Sequence, residues 1–74
     1  MAQVNSVRKA LAILDLLSDG EKRSLSDIAR ELSLAKSTTS NLLETLTSQR
    51  VLERNRESGS YSLGIRLLEI GYRP

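Results

Sequence analysis

Apolar residues recur at helical spacing in two short segments near the middle of the chain. These positions are Ile28, Ala29 and Leu32 in the first segment and Leu42, Leu43 and Leu46 in the second. Residues three or four positions apart share one face of an α-helix, and the small Ala29 allows a second helix to cross closely. The pattern therefore predicts two amphipathic helices joined by a tight corner, which is a helix-turn-helix arrangement.

Capping chemistry sets the expected ends of these two helices. Ser26 is the expected N-cap of the first, because a serine oxygen accepts hydrogen bonds from first-turn N–H groups, and Asp27 adds negative charge there. We expect this helix to end near Leu32 or Ser33. The second is expected over about residues 36–48.

Another amphipathic helix is predicted ahead of this pair. Its apolar positions are Val7, Ala10, Leu11, Leu14 and Leu17. Asn5 or Ser6 is expected to cap its start. It should end near Ser18, because residues 19–20 are Asp-Gly, which favours a turn, and residues 21–23 form a polar connection.

Two short β-strands are predicted after the helices. They cover residues 51–54 and 60–63. Leu52 is expected to share the inward face with Tyr61 or Leu63, and Gly59 supplies the positive φ that a tight hairpin often needs. A two-stranded hairpin is only marginally stable alone, so this one must pack against the helices as a wing.

The predicted fold class is mainly α with a small β-hairpin. It is a winged helix-turn-helix with a three-helix core, a two-stranded wing and the start of a fourth helix after Gly64. The 74 residues are expected to form one domain over 1–74, with 65–74 as the start of a linker helix. A single core of this size supplies only about 3–5 kcal/mol, so a partner subunit would add stability.

Composition limits the chemistry that the chain can perform. The sequence has no cysteine and no histidine, and it lacks a glycine-rich phosphate loop. Disulfides, typical zinc sites and histidine-based catalysis are therefore excluded, and we predict no catalytic residue, cofactor or metal site. No apolar run reaches the roughly 20 residues of a membrane span and no signal-peptide core is present, so we expect a cytoplasmic protein with no membrane partner.

The outer face of the third helix is polar and is flanked by cations. Serine, threonine and asparagine are poor helix-interior residues, but their side chains suit contacts with phosphates and base edges of DNA. The alternative to DNA contact is that these residues form a solvated face with an N-cap among them. The polar residues are Lys36, Ser37, Thr38, Ser40, Asn41, Glu44 and Thr45. Arg50, Arg54 and Arg56 bracket the first strand, and together with Lys36 they are expected to put four cations along one side of the domain. These cations either contact nucleic acid or protect a sheet edge, and the two roles are compatible.

An ordered set of segments resembles the N-terminal winged helix-turn-helix domain of the IclR family of bacterial transcription regulators. The segments are Val7–Leu17, Leu25–Leu32, Lys36-Ser-Thr38, Leu42-Leu43 and Ser60–Gly64. The resemblance covers nearly the whole chain and implies sequence-specific binding of double-stranded DNA. It also implies a homodimer on a pseudo-palindromic operator, and a C-terminal domain, outside this sequence, that binds a small-molecule effector.

The resemblance also implies which residues contact DNA. The third helix would carry Lys36, Ser37, Thr38, Thr39 and Asn41 into the major groove. The wing would bring Arg54, Asn55 and Arg56 to the backbone or minor groove, and Arg8 would touch a phosphate.

Four positions depart from the family's usual pattern. Relatives commonly have glycine at Ser33 and Arg50 and proline at Ala35, and Thr39 stands where an apolar residue is frequent. If Ser33 or Arg50 adopts a left-handed conformation, each costs on the order of 1 kcal/mol. Whether Thr39 faces DNA or the core is left open.

Two other functions compete with DNA binding. A winged helix used only for protein association would dock through the apolar faces of the first and last helices. A small enzyme is disfavoured by the missing histidine, cysteine and glycine-rich loop.

Overall fold

The computed structural model describes residues 4–71, apart from the side chain of Leu68. The elements are α1 (Asn5–Leu17), α2 (Leu25–Leu32), α3 (Lys36–Ser48), β1 (Leu52–Arg54), β2 (Tyr61–Leu63) and α4 (Ile65–Gly71). This order confirms the predicted helices, hairpin and fourth helix. Residues 72–74 of the expected linker helix lie outside the described range. Within that range no helix has the length and apolar character needed to cross a membrane.

One hydrophobic core joins the three helices to the wing. Its fully buried side chains are Ile13 and Leu17 of α1, Ile28 of α2, Leu43 of α3 and Leu52 of β1, each at most 1% exposed. Ile13 and Leu17 are four residues apart on one face of α1, and α2, α3 and β1 each contribute one side chain, so burial of apolar side chains drives the packing. The core holds the hairpin against the helices, because a two-stranded hairpin is only marginally stable by itself.

The start of α2 differs from the expectation. Ser24, not Ser26, is the N-cap: its Oγ accepts a hydrogen bond from Asp27 N–H at 3.1 Å, and its N–H donates to the Asp27 carboxylate at 3.3 Å. This reciprocal pair is a capping box, which requires an acid three residues after the cap. The hydrogen bond from the Ser24 backbone, assisted by the Arg30 guanidinium 2.9 Å away, lowers the pKa of Asp27.

The limits of α1 are correct at one end only. The helix ends at Leu17 with Ser18 as its C-cap, as predicted. Its N-cap is Val4, in an extended conformation and without a side-chain hydrogen bond, so the prediction that Asn5 or Ser6 caps this helix is wrong. Asn5 is already the first helical residue.

Two non-glycine residues adopt left-handed conformations where helices end. Ser33, after α2, has φ 54°, and Arg50, after α3, has φ 63°. The left-handed conformation considered for both residues is therefore present, and each costs on the order of 1 kcal/mol. These conformations let the chain turn sharply while carbonyl groups in the last turn of the helix still accept hydrogen bonds. For example, Leu34 N–H donates to the Ala29 carbonyl at 2.9 Å.

The wing is a short antiparallel hairpin with an additional backbone pairing. Leu52 pairs with Leu63 and Arg54 with Tyr61, and Gly59 has the predicted positive φ, 71°. The backbone of Arg23 exchanges hydrogen bonds with Tyr61, 3.2 and 2.7 Å long. From the sequence, residues 21–23 are expected only to form a polar connection, so this pairing was not predicted.

The side chain of Arg23 anchors the same connection to two helices. Its guanidinium lies 2.8 Å from the Asp19 carboxylate, 2.9 Å from the Glu31 carboxylate and 2.9 Å from the Leu16 carbonyl oxygen. The hydrogen bond from Arg23 lowers the pKa of Asp19 to about 2. Arg23 thus connects the end of α1 and the side of α2 to the wing strand β2.

Gly64 allows a close approach between the wing and the end of α3. A Cβ at this position would overlap the backbone carbonyl of Arg50, and Gly64 N–H donates to the Val51 carbonyl at 2.7 Å. The sequence predicted only that this glycine ends a strand. Its second role, as contact point for the left-handed Arg50, depends on the tertiary fold.

Candidate nucleic-acid interface

The first turn of α3 carries no side-chain cap. Lys36 and Ser37 are exposed there, whereas Thr38 is half-buried. Ala35, its N-cap residue, is extended and provides no side-chain acceptor, and the first turn contains no acidic residue. The first bonded N–H is that of Thr39, which donates to the Ala35 carbonyl at 2.9 Å. Because the preceding N–H groups carry the positive end of the helix dipole, with Lys36 beside them, this end of α3 favours an anion.

The exposed face of α3 presents two kinds of polar side chain. Thr45 Oγ1 donates to the Asn41 carbonyl at 3.0 Å, and Ser48 Oγ donates to the Thr45 carbonyl at 2.7 Å, so these hydroxyls serve the helix itself. Within residues 4–71, no hydrogen bond engages the side chains of Ser37 or Asn41, which are both exposed. Ser37 and Asn41, in the N-terminal half of α3, therefore keep their polar groups available to a ligand.

Thr39 belongs to the core rather than to this face. It is 0% exposed, and its Oγ1 donates to the Ala35 carbonyl at 2.9 Å. The prediction that Thr39 contacts DNA is therefore corrected, because a side chain without accessible surface cannot reach a base edge. The spacing already held the signal, since Thr39 lies four residues before the buried Leu43 on one helical stripe.

Arg54 lies between the wing and α3. Its guanidinium carbon is 5.9 Å from the centre of the Tyr61 ring, within range of a cation–π contact. Both residues line a groove of about 570 Å³, together with Ser40 and Glu44 of α3. The fold thus brings Arg54, a predicted wing contact, next to α3. Ser40 and Glu44, which were predicted on the polar face of α3 but not as DNA contacts, line the same groove.

The other two predicted wing residues are in the turn and differ in availability. Asn55 Oδ1 accepts hydrogen bonds from the backbone N–H groups of Glu57 and Ser58, at 2.9 and 3.0 Å. Asn55 therefore shapes the turn, and only its NH₂ group is left for a ligand. Arg56 is exposed next to it.

The remaining predicted cations are at separate places around α3. Arg8 is exposed on α1 and lines a small groove together with Leu32 and Leu34, next to the corner that precedes α3. Arg50 follows the opposite end of α3, about 20 Å from Lys36 at 1.5 Å per residue. Lys36 and Arg50 are thus at opposite ends of the helix and do not form one compact cluster.

Comparison with known proteins gives one consistent family. The profile of the IclR helix-turn-helix domain matches residues 6–56. The chain is 45% identical over 69 residues to the glycerol operon regulatory protein of Streptomyces coelicolor, covering 92% of this chain and 27% of that protein. It is 38% identical over 73 residues to the HTH-type transcriptional regulator XynR of Escherichia coli, covering 97% of this chain and 29% of that protein.

Solved structures agree with this result. The IclR transcriptional regulator from Alicyclobacillus acidocaldarius superposes with a TM-score of 0.93 at 35% identity, over 97% of this chain and 30% of that one. The Agobacterium tumefaciens repressor BlcR gives a TM-score of 0.83 at 28% identity, over 93% of this chain and 28% of that one. The chain therefore spans less than a third of the length of these relatives.

Proposed function

Because the chain belongs to the IclR helix-turn-helix family of DNA-binding transcription regulators, we propose that it recognises its operator by placing α3 in the major groove. The wing then lies against the neighbouring backbone or minor groove. Sequence is read from base edges, while contacts to phosphates set the position of the domain.

The observation that carries this proposal is the open start of α3. An uncapped helix end without acidic residues costs stability, but it leaves backbone N–H groups free for a phosphate oxygen. Lys36 adds a cation there, and Ser37, Thr38 and Asn41 follow as the contacts to bases and backbone. Arg8, beside the corner before α3, provides a further phosphate contact.

The wing supplies a second set of contacts. Arg54 is held over the Tyr61 ring next to α3, which limits the conformations of its long side chain before DNA is bound. Arg56 and the NH₂ group of Asn55 extend from the turn, and Arg50 completes the set at the base of the wing.

We further propose that the full-length protein is a homodimer on a pseudo-palindromic operator, with α4 leading to an effector-binding domain. Exposed apolar residues on α1 and α4 support a partner subunit, since Leu11 is 59% exposed and Ile70 is 52% exposed. A bacterial regulator acts where the chromosome is, so we assign the chain to the cytoplasm. We propose no catalytic role.

The same apolar residues favour the second candidate function, protein association without DNA. Salt dependence separates the two, because each phosphate contact changes the slope of log affinity against log salt by about 0.9 on duplex DNA. We expect Lys36→Ala and Arg56→Ala each to weaken binding to every duplex and to reduce that slope. Arg66→Ala, which removes an exposed cation from α4, is the matched control and should leave the slope unchanged.

Asn41→Ala tests base reading separately from phosphate contact. Loss of the Asn41 side chain should reduce discrimination at particular base pairs by roughly 1–3 kcal/mol, while the slope of log affinity against log salt stays the same. If Lys36→Ala, Arg56→Ala and Asn41→Ala all bind every duplex as the parent does, this mode of DNA binding is wrong and protein association becomes the better function.

A further inference from the structure

Glu44 is an acidic residue on the face of α3 that is proposed to enter the major groove. It is exposed and lies three residues after Asn41 and seven after Ser37, which places all three side chains on one helical stripe. A carboxylate is an unexpected neighbour for DNA, because phosphates repel it. Its position therefore needs a reason other than general attraction to nucleic acid.

Within residues 4–71, Glu44 takes part in no ion pair, whereas other acids of the domain do. Arg23 pairs with Asp19 and Glu31, and Arg30 pairs with Asp27. Arg54 lines the same groove as Glu44 but lies over the Tyr61 ring instead of pairing with the carboxylate. Glu44 thus contributes no salt bridge to the fold, and its acceptor oxygens stay accessible.

The chemistry of a carboxylate limits what it can contact in a major groove. Ionised glutamate only accepts hydrogen bonds, and the base edges there offer two donors, the amino groups of cytosine (N4) and adenine (N6). On adenine the neighbouring N7 is an acceptor that repels a carboxylate, whereas the cytosine edge has no such acceptor. Cytosine is therefore the base that Glu44 suits best.

We propose that Glu44 is a specificity-determining residue that accepts a hydrogen bond from a cytosine N4 amino group in the operator. This inference depends on the proposed placement of α3 in the major groove. Glu44 also disfavours other bases at that position, because it presents an unpaired charge to acceptor groups such as guanine O6 and thymine O4. Lys36 and the wing arginines supply affinity, and Glu44 restricts it to the correct sequence.

The test compares Glu44→Gln and Glu44→Ala with the parent in the full chain. Bound duplexes are first selected from a random pool, and dissociation constants are then measured for the selected duplex and for duplexes changed at one base pair. The parent should prefer cytosine at one position by about 5- to 150-fold, the equivalent of one good base contact. Glu44→Ala should lose that preference at this position only.

Glu44→Gln gives the sharper result. A glutamine amide both donates and accepts, and it pairs with adenine N6 and N7, so the preferred base should change from cytosine to adenine. Glu53→Gln, which removes the same charge from an exposed residue of β1, is the matched control and should change no base preference.

Three outcomes would overturn the inference, and they differ in what else they affect. If the parent selects a site but both Glu44 variants select the same bases, only the role of Glu44 is wrong. If Glu53→Gln changes base preference as Glu44→Gln does, the effect is one of net charge and not of a base contact. If the parent selects no sequence at all, the proposed function itself fails.

Discussion

The two helices of the helix-turn-helix begin in opposite ways. At the start of α2, Ser24 and Asp27 satisfy each other's backbone N–H groups in a capping box. At the start of α3, Ala35 offers no side-chain acceptor and Lys36 places a cation where the helix dipole disfavours one. The core packs against both helices, so burial alone does not explain the difference.

A capping residue contributes about 1 kcal/mol to stability, and α3 forgoes this contribution. A second unsatisfied group lies further along the same helix, where the buried Thr47 Oγ1 has no hydrogen-bond partner among the described residues. In a domain with only a few kcal/mol in total, such losses matter. We interpret the uncapped start of α3 as part of the proposed DNA-binding surface, with a phosphate as its partner, whereas the start of α2 is satisfied within the fold.

The largest expected effect comes from giving α3 the cap that it lacks. Ala35→Asp should stabilise the fold by about 1 kcal/mol, because its carboxylate accepts first-turn N–H groups. The same carboxylate should weaken DNA binding on the order of tenfold, because it occupies the N–H groups proposed to bind a phosphate and its charge repels that phosphate. Urea unfolding and DNA titration check the two effects.

Ala35→Asn is the control for charge, because it caps the helix without adding one. Its stability gain should be similar and its loss of DNA affinity smaller. An Ala35→Asp variant that is stabilised but binds DNA as tightly as the parent would contradict the interpretation of the α3 start.

The converse change removes the cap from α2. Ser24→Ala should lower the free energy of unfolding by about 1 kcal/mol and the Tm by about 4–8 °C for a domain of this size. DNA affinity of the folded protein should be unchanged, since Ser24 is at the start of the other helix. Ser26→Ala, at the residue that the sequence first suggested, should have little effect on thermal unfolding; a loss equal to that of Ser24→Ala would contradict the capping box.

Thr39 and Thr47 of α3 each have a buried hydroxyl, which allows a matched comparison of a paired and an unpaired hydroxyl. Thr47→Val should stabilise the domain by roughly 1 kcal/mol, because a methyl group replaces a hydroxyl buried without a partner. Thr39→Val should be neutral or destabilise by up to about 1 kcal/mol, because it loses the bond to the Ala35 carbonyl. Chemical denaturation measures the change in the free energy of unfolding for both variants. If both variants stabilise the domain, or both destabilise it, the hydrogen bonding of the hydroxyl does not determine the effect.

The smallest expected effect is on acid stability, because the acids concerned are on the surface. The pKa of Asp19 is lowered from 3.8 to about 2, and that of Asp27 is lowered in the same direction. Depressed folded-state values mean that the stability they add is present above about pH 4 and is lost as the pH falls towards 2. Unfolding midpoints measured between pH 2 and pH 7 should follow this trend.

Asp19→Asn and Asp27→Asn should each flatten the acid side of that profile. Asp15→Asn is the control, since Asp15 forms no ion pair within the described residues. A profile as steep in both variants as in the parent would mean that other groups determine acid unfolding.

Much of the fold follows from local periodicity. The limits of α3, the end of α1, the hairpin and the positive φ of Gly59 were all predicted, because each depends on residues close together in the chain. The starts of α1 and α2 were not. Several serines and an asparagine offered plausible caps, and the choice among them depends on which hydrogen bonds the folded backbone can complete.

For the candidate interface, residue type indicated which side chains could bind DNA but not which of them are accessible. Thr39 has the polar chemistry of a contact residue, yet it is buried beside Leu43. Asn55 has the same chemistry, yet its oxygen shapes the turn. Burial and competing hydrogen bonds are properties of the three-dimensional arrangement.

The order of elements, the family and the polar character of α3 follow from residue type and spacing along the chain. Three other contacts depend on how the chain packs: the backbone of Arg23 pairs with Tyr61, Arg54 lies over the Tyr61 ring, and Glu44 lines a groove with Arg54. These contacts join residues 7 to 38 positions apart. Such contacts form only when packing of the core brings distant segments together.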